Sequence, residues 1–110
     1  MEYMLFVATD SEPDTRTDEN EVDDWVEEGT RRGIRVRGDV LRPRQDATTV
    51  RVRNGEVLVT DGPFTESKEW IVGYDLLECA DLDEAIDYVS RHPMARNGRI
   101  EIRPVMQFDE

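Results

Sequence analysis

Two turn signals set close together in the middle of the chain constrain its fold more than anything else in it. Asn54-Gly55 separates the strand-like run Thr49 to Arg53 from Glu56 to Thr60, and Asp61-Gly62-Pro63 follows at once. An Asn-Gly pair supplies two adjacent residues that tolerate positive φ, which a two-residue hairpin turn requires. Asp61 can bond nearby backbone amides, Gly62 accepts positive φ, and Pro63 fixes its own φ and donates no hydrogen bond, so the second strand stops in a rigid corner. Whatever lies on either side must be arranged around this hairpin.

Periodicity supplies the remaining elements. Tyr3 to Ala8 is apolar at every position and reads as a central strand covered on both faces. A helix is expected from about Asp18 to Arg32: Asp18 and Glu21 form a capping pair, Val22, Trp25, Val26 and Gly29 share one face, and Gly33 suits the exit. Ile34 to Leu41 and Trp70 to Cys79 read as strands. Asp81 and Glu84 cap a second helix lined by Leu82, Ala85, Ile86 and Val89, which stops at His92-Pro93, and Arg99 to Phe108 closes the sheet. The order is strand, helix, strand, hairpin, strand, helix, strand. It predicts an α+β fold, a ferredoxin-like split βαβ sandwich with an inserted β-hairpin, over residues 1–110 as a single domain. Both helices must cover one sheet face, and in this fold class the usual cover for the other is a second subunit. The expectation is therefore a homodimer forming a dimeric α/β barrel.

Composition excludes several function classes. A formal charge of −12 opposes nucleic-acid binding, which depends on cationic side chains neutralising phosphates. No apolar run approaches the ~20 residues of a membrane span, and the opening Met1-Glu2-Tyr3-Met4-Leu5-Phe6 has no basic leader, so no membrane association and a cytoplasmic location are expected. One cysteine, Cys79, allows neither an internal disulfide nor a multi-thiolate metal site, and suits a small buried hydrophobe. One histidine and scattered carboxylates fit no zinc or calcium spacing, and neither a phosphate-cradling glycine loop nor a nucleophile elbow is present. No metal and no cofactor are expected. Thirteen Arg and one Lys against 26 acids suit a halophile, whose surface carboxylates keep proteins hydrated in high salt, or an Arg-favouring genome; the halophilic reading is preferred.

The charges are segregated. Residues 10–28 carry a net of −9 and residues 31–53 a net of +6. Strict strand alternation would put Ile34, Val36, Val50, Val52, Ile100 and Ile102 toward the helices, and Arg35, Arg37, Arg51, Arg53, Arg99 and Arg103 on the opposite face with Asp39, Asp75 and Glu101. Six guanidiniums sharing a face could bind a small anion, or could pair across strands with the three acids.

Three side chains are candidates for acid-base chemistry. Asp61 could serve as a base if Phe64 and Trp70 desolvate it, or could bond the amides of its own turn. Lys68 could bind a substrate carboxylate or act as a base, or could pair with Glu66 and Glu69. His92 is the only group that titrates near neutrality without a special environment; in the last turn before Pro93 it is also placed to bond the closing carbonyls of the helix.

Taken together, Tyr3-Met4-Leu5-Phe6, Thr48 to Arg53, Asp61-Gly62-Pro63-Phe64-Thr65-Glu66-Ser67-Lys68-Glu69, Gly73-Tyr74, Asp81 to Ala85 and Gly98 to Val105 resemble the DGPF-domain proteins of the YCII-related family. The resemblance covers nearly the whole chain. It implies a ferredoxin-like homodimer with a pocket on the sheet near the DGPF corner, where Asp61, Gly62, Pro63, Phe64, Lys68, Arg51 and Arg103 would hold a small anionic or aromatic ligand, with lyase- or isomerase-type acid-base chemistry open to it. It also implies an alternative, because such proteins are often encoded beside extracytoplasmic-function sigma factors: a noncatalytic interaction protein. The YCII branch carries a His-Asp pair, the His on the first helix and the Asp at the end of the second. Here the first helix has no histidine and His92 or its neighbour stands at the Asp position, so the pair does not carry over.

Overall fold

The computed structural model describes residues 1–14, 19–62 and 70–108. The elements run β1 (Glu2–Thr9), α1 (Glu19–Arg31), β2 (Arg35–Val40), a short 3-10 turn (Arg44–Asp46), β3 (Thr48–Arg53), β4 (Glu56–Asp61), β5 (Ile71–Glu78), α2 (Leu82–Val89), α3 (Met94–Asn97) and β6 (Gly98–Pro104). The four-stranded sheet has the order β2-β5-β1-β6, with every pair antiparallel. This α+β arrangement is compatible with the ferredoxin-like split βαβ reading. The hairpin β3–β4 forms a two-stranded sheet of its own. Its turn is the expected one, with φ of 51° at Asn54 and 78° at Gly55, and Gly62 turns the corner after β4 at φ 99°.

β1 is central, as its apolar run requires, but its two sides differ. Tyr3, Leu5 and Val7 are buried under the helices, whereas Met4, Phe6 and Ala8 on the opposite face are only half-buried. The core gathers Tyr3, Leu5, Trp25, Ile34, Leu77, Cys79, Ala85, Tyr88 and Val89, with Val26, Ile100 and Ile102 at its margin. Cys79 lies in it as a small apolar side chain, and burial pushes its thiol up from the ordinary range.

The capping pair of α2 forms as expected. Asp81 Oδ1 accepts the Glu84 N–H at 2.9 Å, and Glu84 reaches back to accept the Ala80 N–H at 3.0 Å. The matching pair for α1 involves Asp18, which lies outside the described residues. α1 and α2 are locked reciprocally. The Trp25 indole N–H donates to the Tyr88 carbonyl at 2.8 Å, the Tyr88 hydroxyl donates to the Trp25 carbonyl at 2.6 Å, and the rings stack at 4.2 Å. Gly29 makes room for this lock: a Cβ there would stand 1.9 Å from the Tyr88 hydroxyl.

The six arginines do not share a face. A register shift between Arg35 and Arg37, where β2 bulges against β5, reverses the alternation. Arg35 therefore points under the helices, opposite Leu77, and Val36 is thrown outward at 54% exposure. Arg37, Arg99 and Arg103 pair with Leu76, Ala8 and Met4 and belong to the open face. Arg51 and Arg53 are on the separate hairpin, whose Val50 and Val52 face solvent rather than the helices.

Candidate functional site

The bulge that turns Arg35 inward creates the most chemically loaded place among the described residues. Asp75 stands opposite Leu5 on the helix-covered face and is only 6% exposed. Arg35 Nε donates to its Oδ1 at 2.8 Å, while Arg35 Nη2 donates to the Gly38 carbonyl at 2.9 Å. Gly38 is required here, because a Cβ at that position would fall 2.1 Å from Asp75 Oδ1. An apolar side chain at 38 would displace the carboxylate.

Above this ion pair lies a cleft of about 380 Å3 between α1, the β2–β5 edge and the start of α3. Val7, Val22, Val26, Val40 and Val72 make its walls apolar, and Trp25, Met94 and His92 close its top. His92 is buried at 6% exposure and packs edge-on against Trp25, with centroids 4.4 Å apart. It does not cap α2, which ends at Val89; instead its Nδ1 accepts the Met94 N–H at 2.9 Å, at the start of α3. That bond assigns the neutral imidazole proton to Nε2.

Three polar atoms are left over. Asp75 Oδ2, Arg35 Nη1 and His92 Nε2 have no protein partner among the described residues. No fully enclosed side-chain N or O of the described residues lacks a partner, so these atoms keep some contact with solvent, and all three of their residues line the cleft. Burial pushes the Asp75 carboxyl above the usual range, with the Arg35 guanidinium pulling the other way. Burial, helped by the Arg35 charge, pushes His92 down to about 4. The cleft thus holds a carboxyl group with raised proton affinity and, at neutral pH, a neutral imidazole able to donate a hydrogen bond.

The His92 shift has a measurable sign. Its unfolded-state value is about 6.5, so between that and about 4 the unfolded chain binds the extra proton. The stability His92 contributes is therefore complete above roughly pH 6.5 and lost as pH falls toward 4, about 3 kcal/mol in all. Asp75, shifted upward, acts in the opposite sense by taking up its proton earlier in the folded state. Comparing urea midpoints of wild type and His92→Gln from pH 7.5 to 4.5 isolates the histidine. The variant is expected to lose less stability on acidification, and parallel curves would refute the assignment.

Of the acid-base and DGPF-corner candidates named from the sequence, only His92 lines this cleft, together with Arg35, Asp39 and Asp75 from the arginine-and-acid set. Asp61 is exposed and paired across the ladder with Thr48, and Gly62 is held by its N–H to the Ala47 carbonyl at 2.7 Å and by the Thr49 hydroxyl on its own carbonyl at 2.8 Å. Arg51 is exposed on the hairpin. Arg103 borders a hollow on the open sheet face with Phe6, Ala8, Ile71, Arg99 and Glu101, its Nε 3.9 Å from Glu101. Pro63, Phe64 and Lys68 lie outside the described residues. Arg35 and Asp75 are expected together from the sequence, in an anion site or as a cross-strand pair; the pair forms, but on the helix-covered face rather than the opposite face to which strict alternation assigns both. The available signal was that Asp75 shares its parity along β5 with Leu77 and Cys79.

Fold and cleft together define a small α+β domain of antiparallel sheets with a polar trio in an apolar recess. The model of the YCII-related domain matches residues 1–109, and the chain belongs to that family. An uncharacterized protein of Rhizobium meliloti (strain 1021) is similar, 41% identical over 70 residues that make up 62% of this chain and 56% of that protein. The chain thus matches a little over half the length of that relative. Among the described residues, no helix is long and apolar enough to cross a membrane.

Proposed function

We propose that this protein binds a small metabolite with an aromatic or otherwise apolar body in the cleft over Asp75, and moves a proton on it in an isomerase- or lyase-type reaction. The observation that carries the reading is the convergence of Asp75, with its raised pKa, and neutral His92 on one apolar recess. Neighbouring titratable groups pushed in opposite directions are how one site holds both an acid and a base. In this reading Asp75 Oδ2 takes a carbon-bound proton, His92 Nε2–H hydrogen-bonds the oxygen on which charge develops, and Arg35 orients Asp75. The valine walls exclude water and select an apolar body. The DGPF corner is then a structural turn.

The homodimer expected from the fold belongs to the same proposal, with the half-buried face bearing Met4, Phe6 and Ala8 as the surface a second subunit would cover. The rival reading as a noncatalytic interaction protein draws on a different observation, the uncovered hairpin.

A thermal-shift screen against phenolic, ketonic and carboxylate metabolites, at low and high salt, finds ligands, because a compound that binds only the folded state raises Tm. Hits are then incubated in D2O and followed by proton NMR. The expected result is loss of one carbon-bound proton signal with wild type, none with Asp75→Asn, and retained binding in that variant. A panel without a hit, or exchange that persists in Asp75→Asn, would overturn the reading.

A further inference from the structure

The hairpin β3–β4 has one apolar face and has it uncovered. Val50 lies opposite Val59 and Val52 opposite Val57, so all four valines share a side. They are 60%, 64%, 55% and 66% exposed, respectively. The reverse side carries Thr49, Arg51, Arg53, Glu56, Leu58 and Thr60, and there Thr49 and Leu58 are half-buried. The chain therefore gives what shelter it has to the polar side and leaves the valines in water. Cross-strand pairs of β-branched residues gain their stability from being covered, and a two-stranded hairpin alone is marginal.

The size of the deficit indicates what covers it. The chain exposes 8282 Å2, whereas a compact monomer of its mass exposes about 6,300 Å2. Its radius of gyration is 16.1 Å and its extents 47 × 44 × 20 Å, against a radius of about 13 Å for a compact chain of this length. An excess of about 2,000 Å2 per chain is the area each subunit of an obligate homodimer gives up. Charge agrees. On a chain of net −12 the arm from Thr48 to Asp61 is neutral, Arg51 and Arg53 balancing Glu56 and Asp61, so it can approach a second acidic copy without repulsion.

We propose that the β3–β4 hairpin is an arm that lays its Val50, Val52, Val57 and Val59 face on a second copy of this chain. This interface is distinct from the open face of the four-stranded sheet and stands independently of the cleft reading.

The test is sedimentation equilibrium of wild type, Val52→Asp, Val57→Asp and, for the open sheet face, Phe6→Asp, with circular dichroism to confirm folding. Wild type is expected to dimerise, and either valine variant to weaken the dimer at least about 100-fold while keeping its fold. Because an aspartate could unfold the arm, hydrogen exchange on wild type provides a second reading: hairpin amides should exchange faster on dilution below the dissociation constant, while those of β1 stay protected. A wild type that is monomeric at every concentration, a dimer weakened only by Phe6→Asp, or hairpin exchange independent of concentration would overturn the proposal.

Discussion

Replacing Arg35 by methionine is expected to destabilise the protein by about 4 kcal/mol at pH 7, and by progressively less as the pH is lowered toward 4. Among the described residues the arginine is the only cation bonded to Asp75, at 2.8 Å, and the carboxylate is 6% exposed. Without it, Asp75 must stay ionised and unpaired or take up a proton. A buried ion left without its partner typically costs about 3–5 kcal/mol. Protonation sets the ceiling: driving a group with an unfolded pKa of about 3.9 to the neutral form at pH 7 costs about 1.36 kcal/mol for each of roughly three units. The deficit should therefore shrink by about 1.4 kcal/mol per pH unit on acidification, until the wild-type carboxyl, its pKa itself raised by burial, takes up its own proton. The double variant Arg35→Met, Asp75→Leu should recover most of the loss, since an apolar pair of similar volume can replace a buried ion pair. Urea unfolding at pH 7 and 4.5 reads all three. A deficit independent of pH would mean that lost packing, not an orphaned charge, is responsible.

Tyr88→Ala is expected to cost about 3–5 kcal/mol, the range for removing a large buried aromatic. Tyr88 is 0% exposed, stacks on Trp25 at 4.2 Å and donates its hydroxyl to the Trp25 carbonyl. Tyr88→Phe keeps the stack and strips only the hydrogen bond, and the Trp25 carbonyl keeps its partner within α1, so about 0.5–1.5 kcal/mol is expected, the net worth of one hydrogen bond. Gly29→Ala attacks the same spot from the other side, since its methyl group would meet the hydroxyl at 1.9 Å. Combined with Tyr88→Phe, the glycine substitution should be better tolerated than alone, because the phenylalanine removes the nearest atom. Additive losses in that cycle, measured by denaturant unfolding, would show that the two positions do not meet as described.

Much of the architecture was legible in the residue order, because hydrophobic period, Asn54-Gly55 and the Asp81–Glu84 cap are local signals. The element sequence, the central place of β1 and the hairpin turn all follow from neighbours in the chain. What escaped depends on distant partners. The bulge at Arg35 is set by how β2 meets β5, forty residues away, and it alone decides that Arg35 turns inward to Asp75 rather than outward with Arg37. Nothing local marks Gly38 within the expected strand Ile34 to Leu41, yet its missing side chain is the space the carboxylate occupies. His92 was recognised as the titratable residue, but its bond to Met94 and its contact with Trp25 depend on how the α2–α3 corner folds back over α1. The hairpin's separation from the main sheet was equally hidden, since the same alternating pattern would suit a strand added to the edge.

The sheet order has a consequence for how the chain is made. β1 is hydrogen-bonded on one side to β5, which begins at Ile71, and on the other to β6, which begins only at Gly98, so the strand waits for one neighbour and then much longer for the other. At about 5–20 residues per second, Leu5, Phe6 and Val7 wait roughly 3–14 s with both strand edges open, and longer with one. The strongly acidic stretch at residues 10–28 follows them directly. A nascent strand with such a neighbour repels its own kind, and that repulsion can guard the most aggregation-prone segment of the protein until its last strand arrives.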